Sequence, residues 1–141
     1  TAAQQFFCHL ALSNGVTRSA VGGGEGEMYQ STSPDEEALV TKAAQLGFVL
    51  WERTKDHVKI KVHGVEEAYT ALEVLEFTSA RKCMSVIVQR KDGTVLVLSK
   101  GADNVMLRKL RDSTDPRALE HVQAMLHRYA TSGLRTLVLT S

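Results

Sequence analysis

The sequence has few cysteines, prolines and aromatic residues, no excess of one charge and no long apolar run. Its 141 residues include 2 cysteines, 2 prolines and 6% aromatic residues. Cys8 and Cys83 are too few for a disulfide scaffold and lack metal-ligand spacing, which favours a reducing compartment. Apolar runs such as residues 95–98 are too short for a membrane helix, which needs about 20 residues. Disulfide-rich and membrane-spanning classes are therefore excluded for these residues.

Charge is almost balanced along the chain. Lys and Arg number 17 and Asp and Glu 16, so the formal net charge is +1. No overall field favours nucleic acid, and we expect no nucleic-acid partner. The length is typical of one domain. Because the chain begins at Thr1 without a Met and ends at Ser141 just after an apolar run, we expect a single domain over residues 1–141, excised from a larger protein.

Hydrophobic periodicity predicts helices at both ends of the chain and strands between them. The predicted helices span residues 1–12, 34–46, 104–110 and 116–132. The predicted strands span residues 48–51, 58–62, 69–77, 84–89, 94–99 and 134–140. Consecutive strands joined by short turns indicate an α+β fold, with an antiparallel β-sheet flanked by helices. The last helix is predicted to bury a face containing Leu119, Val122, Leu126 and Tyr129.

Two local signals concern the first half of the chain. Residues 13–27 contain a glycine-rich stretch at 22–26 and are predicted to form a mobile loop. Ser33 then fits a helix N-cap, Pro34 the first helical position and Glu36 the third, which would complete a capping box. Gly47 fits the end of that helix.

Residue patterns alone show no catalytic group and no metal site. The five histidines are scattered, and no nucleophile, base and orienting group stand at a characteristic spacing. From pattern alone the chain is an α+β domain without an assigned function. Four segments add information. They are residues 33–40 (SPDEEALV), 76–86 (EFTSARKCMSV), 99–103 (SKGAD) and 133–137 (GLRTL).

In this order the four segments resemble the nucleotide-binding (N) domain of P-type ATPases. They look most like the type IV branch, the phospholipid-transporting ATPases or lipid flippases. The resemblance runs from about Phe6 to the C-terminus. The Ser-Pro-Asp-Glu opening and Asp103, where ion-pumping relatives commonly have Pro, point to the lipid branch.

The resemblance implies a fold and a role. The fold is an antiparallel sheet with helices packed around it, inserted into a phosphorylation domain. The role is to hold the adenine of ATP and deliver the terminal phosphate to an aspartate on the separate phosphorylation domain, driving lipid transfer to the cytosolic leaflet. Mg²⁺ would accompany ATP, with its ligands outside this chain. Because the chain lacks the Asp-Lys-Thr-Gly phosphorylation motif, we expect it to bind ATP without hydrolysing it.

The resemblance also implies partners and a location. The partners are ATP, the phosphorylation and actuator domains of the same polypeptide, and a regulatory membrane subunit of the full protein. The location is a cytosolic domain of an integral membrane protein. Two alternatives remain open at this stage. One is the N domain of an ion-transporting P-type ATPase, and the other is a non-enzymatic module that binds a protein partner.

Four site residues carried over from the family would contact the nucleotide directly. Phe77 matches the aromatic that stacks on adenine. Lys100 matches the lysine of the adenine pocket, and Glu36 the glutamate near the adenine amino group. Arg135 matches the arginine that reaches the ribose-phosphate part. The structural alternatives are a core position for Phe77, a solvated loop for Lys100, a helix cap for Glu36 and a surface ion pair for Arg135.

Four further residues belong to the same motifs. Gly101 would let backbone come close, Ser79 would offer a hydroxyl, Lys82 would meet phosphate, and Met84 would form an apolar wall. At Cys83 the lipid branch more often carries a basic residue. This departure touches no expected adenine contact.

Overall fold

The computed structural model describes residues 1–19 and 29–141, and the glycine-rich stretch at 22–26 lies outside them. The helices in this part are α1 (Ala2–Leu12), α2 (Pro34–Gln45), α3 (Asp103–Met106), followed by a 3₁₀ turn (Leu107–Lys109), and α4 (Pro116–Thr131). The strands are β1 (Thr17–Arg18), β2 (Tyr29–Gln30), β3 (Phe48–Arg53), β4 (His57–Val62), β5 (Val65–Leu75), β6 (Cys83–Gln89), β7 (Val95–Gly101) and β8 (Val138–Thr140). None of these helices has the length and hydrophobicity needed to cross a bilayer.

The main sheet of the described residues has six antiparallel strands, β3 to β8, which lie side by side in chain order. β1 and β2 form a separate antiparallel pair. The prediction of an α+β fold with an antiparallel sheet is confirmed. Short connections explain the order from β3 to β7, because a tight turn can only join antiparallel neighbours, whereas β8 reaches the edge of the sheet after α3 and α4. In the β6–β7 turn, Gly93 adopts a φ of 88°, and its N–H donates to the Arg90 carbonyl at 3.0 Å.

The hydrophobic core lies between one face of the sheet and the helices α1 and α2. Side chains alternate along β6 and β7, so that Val86, Val88 and Leu98 are buried while Val97 is exposed on the other face. α1 contributes Leu10 and neighbouring residues to the same core. Lys100 is buried on this same face of the sheet.

The predicted burial of α4 was wrong. The helix forms where expected, with Asp115 as N-cap and Pro116 in its first turn, but no residue of α4 is buried. Val122 and Tyr129 are exposed, as are Leu134 and Leu137 beyond the helix. An amphipathic pattern specifies which side of a helix is apolar, but burial also requires a neighbouring surface. The described residues cover this side only in part, since Leu119 and Leu126 are half-buried.

Several strand bounds differ from expectation, including the start of β5 at Val65 instead of residue 69. β5 ends at Leu75, so Phe77 lies beyond the strand instead of within it. β8 is confined to Val138–Thr140, shorter than the predicted 134–140. In the segment that was predicted to be a loop, Ser13 and Asn14 are buried and Thr17–Arg18 forms β1. That part of the segment is packed against the body of the domain.

Candidate functional site

Antiparallel pairing brings most of the predicted site residues to one end of the sheet, called here the site end. It comprises the last residues of β5 and β7, the first residues of β6 and β8, and the loops that join them. Met84 on β6 lies opposite Lys100 on β7, and Lys100 lies opposite Leu139 on β8. The predicted residues at this end are Phe77, Ser79, Lys82, Met84, Lys100, Gly101 and, just before β8, Arg135.

Lys100 is buried at the site end on the covered face of the sheet. Its side chain is 5% exposed, which excludes a solvated loop lysine. Its Nζ lies 2.7 Å from Glu36 Oε1, and the buried Met84 stands beside it on the neighbouring strand. Among the described residues this ion pair is not aligned as a hydrogen bond. Because an ammonium carries three donors, Lys100 retains capacity for an acceptor from a ligand.

Glu36 reaches Lys100 from the first turn of α2. Ser33 caps this helix, since its Oγ accepts from Glu36 N–H at 3.4 Å. In a complete capping box Ser33 N–H would donate to the Glu36 carboxylate. That bond is absent among the described residues, so the predicted capping box is only half formed. Ser33 N–H donates to Ser31 Oγ instead, at 3.1 Å. Glu36 Oε2 accepts from Gly15 N–H at 3.1 Å, because a buried ammonium and a loop N–H offer it better partners.

The loop after α1 is built to present the Gly15 N–H to Glu36. Asn14 is buried, and its Nδ2 donates to two carbonyls in the last turn of α1 at 2.9 and 3.0 Å. Its Oδ1 accepts from Val16 N–H at 3.1 Å and from Arg53 Nη2 at 3.3 Å. Burial lowers the pKa of the Arg53 guanidinium, and the charge of Glu36 opposes that shift. Sequence reasoning missed Asn14 and Arg53, because an Asn before a Gly indicates only a turn.

Phe77 is exposed beyond the end of β5, with 60% of its surface accessible. This excludes a core position. Arg81 shapes the loop, since its Nη1 donates to the carbonyls of Leu75 and Glu76, each at 2.9 Å. Arg81 was not predicted as a site residue. The sequence signal that could have identified it is its position in the same segment as Phe77, residues 76–86.

The loop from β5 to β6 ends at Lys82, whose backbone lies so close to β7 that only glycine fits at position 101. Lys82 is exposed and has a φ of 51°, and its carbonyl accepts from Ala102 N–H at 3.0 Å. A Cβ on Gly101 would lie 2.5 Å from that carbonyl oxygen and 2.5 Å from Cys83 Cβ. The close approach that Gly101 permits is therefore to the neighbouring strand. Ser79 is exposed in the same loop.

Arg135 is held at the surface by an acidic residue of α2. Its Nη2 lies 2.9 Å from Asp35 Oδ2, and its Nη1 donates to Asp35 Oδ1 at 3.1 Å. The two side chains are 85% and 46% exposed. Gly133, with a φ of 73°, ends α4 and turns the chain towards β8, which places Arg135 beside α2. The surface ion pair considered in the sequence analysis is thus present. Asp35 was not foreseen as the partner.

A cavity of about 490 Å³ lies between α1 and the sheet. None of the residues predicted as a site lines it. His9 does, and His9 is buried with no hydrogen-bond partner for Nε2 among the described residues. Burial and the charge of Lys100 lower the pKa of His9 to about 4, so its ring is neutral near pH 7.

The sequence matches the family described as P-type ATPase, cytoplasmic domain N, over residues 4–141. The chain belongs to this family. Its relatives include probable phospholipid-transporting ATPase 11 of Arabidopsis thaliana, 41% identical, and phospholipid-transporting ATPases IC of Xenopus tropicalis and ID of Homo sapiens, each 40% identical. These matches confirm the resemblance to the phospholipid-transporting branch.

Each of these three matches covers 96% of the present N domain. The N domain spans only 12%, 10% and 11% of the three relatives. What their names say about transport therefore concerns proteins much longer than this chain.

The site end of this N domain offers two kinds of contact. Phe77 presents an exposed aromatic face, while Lys100 and Arg135 present one buried and one exposed cation. Such a set can bind a planar base and anionic groups. The described residues contain no group of three or more His, Cys, Asp or Glu side chains suited to a metal ion.

Proposed function

We propose that this chain is the ATP-binding domain of a phospholipid-transporting P-type ATPase. The observation that carries the proposal is the buried Lys100–Glu36 pair at the same end of the sheet as the exposed Phe77. A buried ammonium with unused donors destabilises the fold unless acceptors satisfy it, and a bound ligand could supply one. A ligand with a flat ring and acceptor atoms would use both features.

In this proposal Phe77 stacks on the adenine, and Lys100 lies along the base. Glu36 accepts from the adenine amino group, which guanine lacks at that position. Met84 forms the apolar wall beside Lys100. Gly101 supports the site indirectly, because it lets β7 approach the loop that carries Lys82.

The phosphate end of ATP would meet the exposed cations. Arg135 and Lys82 supply positive charge, and Ser79 supplies a hydroxyl. Mg²⁺ would stay with the triphosphate and draw its other ligands from outside this chain, since the described residues offer no suitable cluster. This chain would supply no catalytic group.

In the longer protein the domain would deliver the terminal phosphate of ATP to an aspartate on a separate phosphorylation domain. The resulting cycle would move phospholipid to the cytosolic leaflet. The phosphorylation and actuator domains would be its partners within the polypeptide, together with a regulatory membrane subunit. The family match to a cytoplasmic domain supports a cytosolic position for this chain.

NMR titration of the 141-residue chain with ATP and GTP tests the proposal. We expect shifts at Phe77, Lys100 and Glu36, with ATP preferred over GTP and no phosphate released. Phe77→Ala should weaken ATP binding by about 5- to 150-fold, since stacking contributes about 1–3 kcal/mol per base. Leu72→Ala is the matched control, because Leu72 is an exposed apolar residue as Phe77 is, but it lies within β5 and away from the site end.

The outcomes separate the alternatives. Absence of any nucleotide-dependent shift would overturn the proposal and favour a protein-interaction module. An equal loss of binding in Leu72→Ala and Phe77→Ala would overturn the stacking role of Phe77.

A further inference from the structure

We propose that Asp35 sets the ATP affinity of the site end by competing with the phosphates of ATP for Arg135. This inference rests on the proposed function, because it requires ATP to bind there. Asp35 holds Arg135 through two contacts, at 2.9 and 3.1 Å. A guanidinium binds phosphate through the same paired N–H donors. The carboxylate therefore occupies the donors that a phosphate would need.

The Asp35–Arg135 pair is suited to exchange because it lies in solvent. The Arg135 side chain is 85% exposed and that of Asp35 46%. Exposed ion pairs contribute little to stability, so a phosphate group can replace the carboxylate at small cost. The Glu36–Lys100 pair differs, because its members are only 19% and 5% exposed. Asp35 can therefore be changed without disturbing the buried part of the site.

Asp35 is not needed to cap α2. Ser33 supplies the N-cap, with its Oγ accepting from Glu36 N–H. Among the described residues the Asp35 carboxylate bonds to Arg135 and to no helix N–H. A carboxylate in a first helical turn has a favourable interaction with the helix dipole, but an amide there retains the helix. Loss of the Asp35 charge should thus change the affinity for ATP more than the stability of the fold.

The competition predicts that removing an acidic residue strengthens binding of an anionic ligand. Asp35→Asn should tighten ATP binding by about 2- to 5-fold, the range that corresponds to one exposed ion pair. Adenosine, which has no phosphate, should bind the parent chain and Asp35→Asn equally. In an Arg135→Gln background, Asp35→Asn should bring no gain, because the contested group is gone.

Calorimetric titration of the 141-residue chain with ATP and with adenosine provides the test. The variants are Asp35→Asn, Arg135→Gln, the double variant and Glu37→Gln. Glu37→Gln is the matched control, because it removes one negative charge from the same helical turn as Asp35→Asn does. Thermal unfolding of each variant verifies that the fold is retained, and Asp35→Ala serves as a second substitution.

Each outcome decides the inference. A gain confined to Asp35→Asn, to ATP and to chains that keep Arg135 supports it. An equal gain in Glu37→Gln, or a gain that persists without Arg135, identifies a general field effect and overturns it. ATP binding of unchanged strength in Asp35→Asn overturns it while leaving the ATP site intact. A parent chain that binds neither ATP nor adenosine overturns the proposed function together with this inference.

Discussion

Lys100 at the end of β7 and Glu36 in the first turn of α2 form an ion pair in which the two members have unequal surroundings. Nζ lies 2.7 Å from Oε1, but the lysine side chain is 5% exposed and the glutamate 19%. Glu36 also accepts from Gly15 N–H, whereas Lys100 has no aligned hydrogen bond among the described residues. Removing Glu36 should therefore change the stability of the domain by a different amount than removing Lys100.

Glu36→Gln should destabilise the domain more than Lys100→Met. The first change leaves a buried ammonium without its counter-charge, which costs about 3–5 kcal/mol in comparable buried pairs. The second leaves a carboxylate that is partly solvated and still bonded to Gly15. Urea denaturation at pH 7 measures both, with Glu37→Gln as a control of near-zero effect. Equal losses, or a larger loss in Lys100→Met, would contradict this account.

Gly101→Ala should lower the free energy of unfolding by about 1–3 kcal/mol, the usual cost of forced overpacking. The new Cβ would lie 2.5 Å from the Lys82 carbonyl oxygen and 2.7 Å from Cys83 Cα. These are backbone atoms, so relief requires β6 and β7 to separate. Gly15→Ala is the matched control, because the nearest atom to its Cβ is a Glu36 carboxylate oxygen at 3.4 Å, which is an ordinary van der Waals contact. Similar losses in the two variants would argue against the steric explanation.

The stability of the domain should fall as the pH drops below about 6.5 because of His9. Its pKa in the folded chain is about 4, below the ordinary 6.5, so the unfolded chain takes up the proton more readily. The stabilisation is complete above pH 6.5 and is lost as the pH falls towards 4, on the order of 3 kcal/mol in total.

Denaturation midpoints from pH 4 to 7.5 measure the His9 effect by comparison with His9→Gln. The difference in unfolding free energy between parent and variant should change over that interval. His121→Gln on α4 provides the control for the substitution itself, since His121 is exposed. If the difference in unfolding free energy between the parent and His9→Gln stayed constant across this pH range, His9 would not be the cause of the pH dependence.

Asn14→Ala should destabilise the domain by about 2 kcal/mol or more. The side chain satisfies two carbonyls of α1, Val16 N–H and the Arg53 guanidinium, and buried polar groups left unpaired cost about 1–3 kcal/mol each. Chemical denaturation would measure the loss, with the exposed Asn104→Ala as the matched change. A loss no greater than in Asn104→Ala would indicate that water replaces these bonds.

Local rules predicted much of the fold. Ser33 and Pro34 begin α2, and Gly47 follows it with a φ of 90°. These features depend on a few consecutive residues, whose dihedral preferences and periodicity are present in the sequence itself. Local rules did not identify the residues of the proposed nucleotide site. Phe77 and Lys100 were found through resemblance to a family, because no spacing distinguishes them from ordinary strand-end residues.

The sequence by itself determined most of the elements and the antiparallel pairing of β3 to β7, since short turns and side-chain alternation act over neighbouring residues. Only the tertiary structure decided which partner each charged group meets. Glu36 turned from the expected cap to Lys100, and Arg135 met Asp35. The exposed face of α4 was also decided at this level. The physical reason is that burial and ion pairing depend on distances between segments far apart in the chain, which local preferences do not specify.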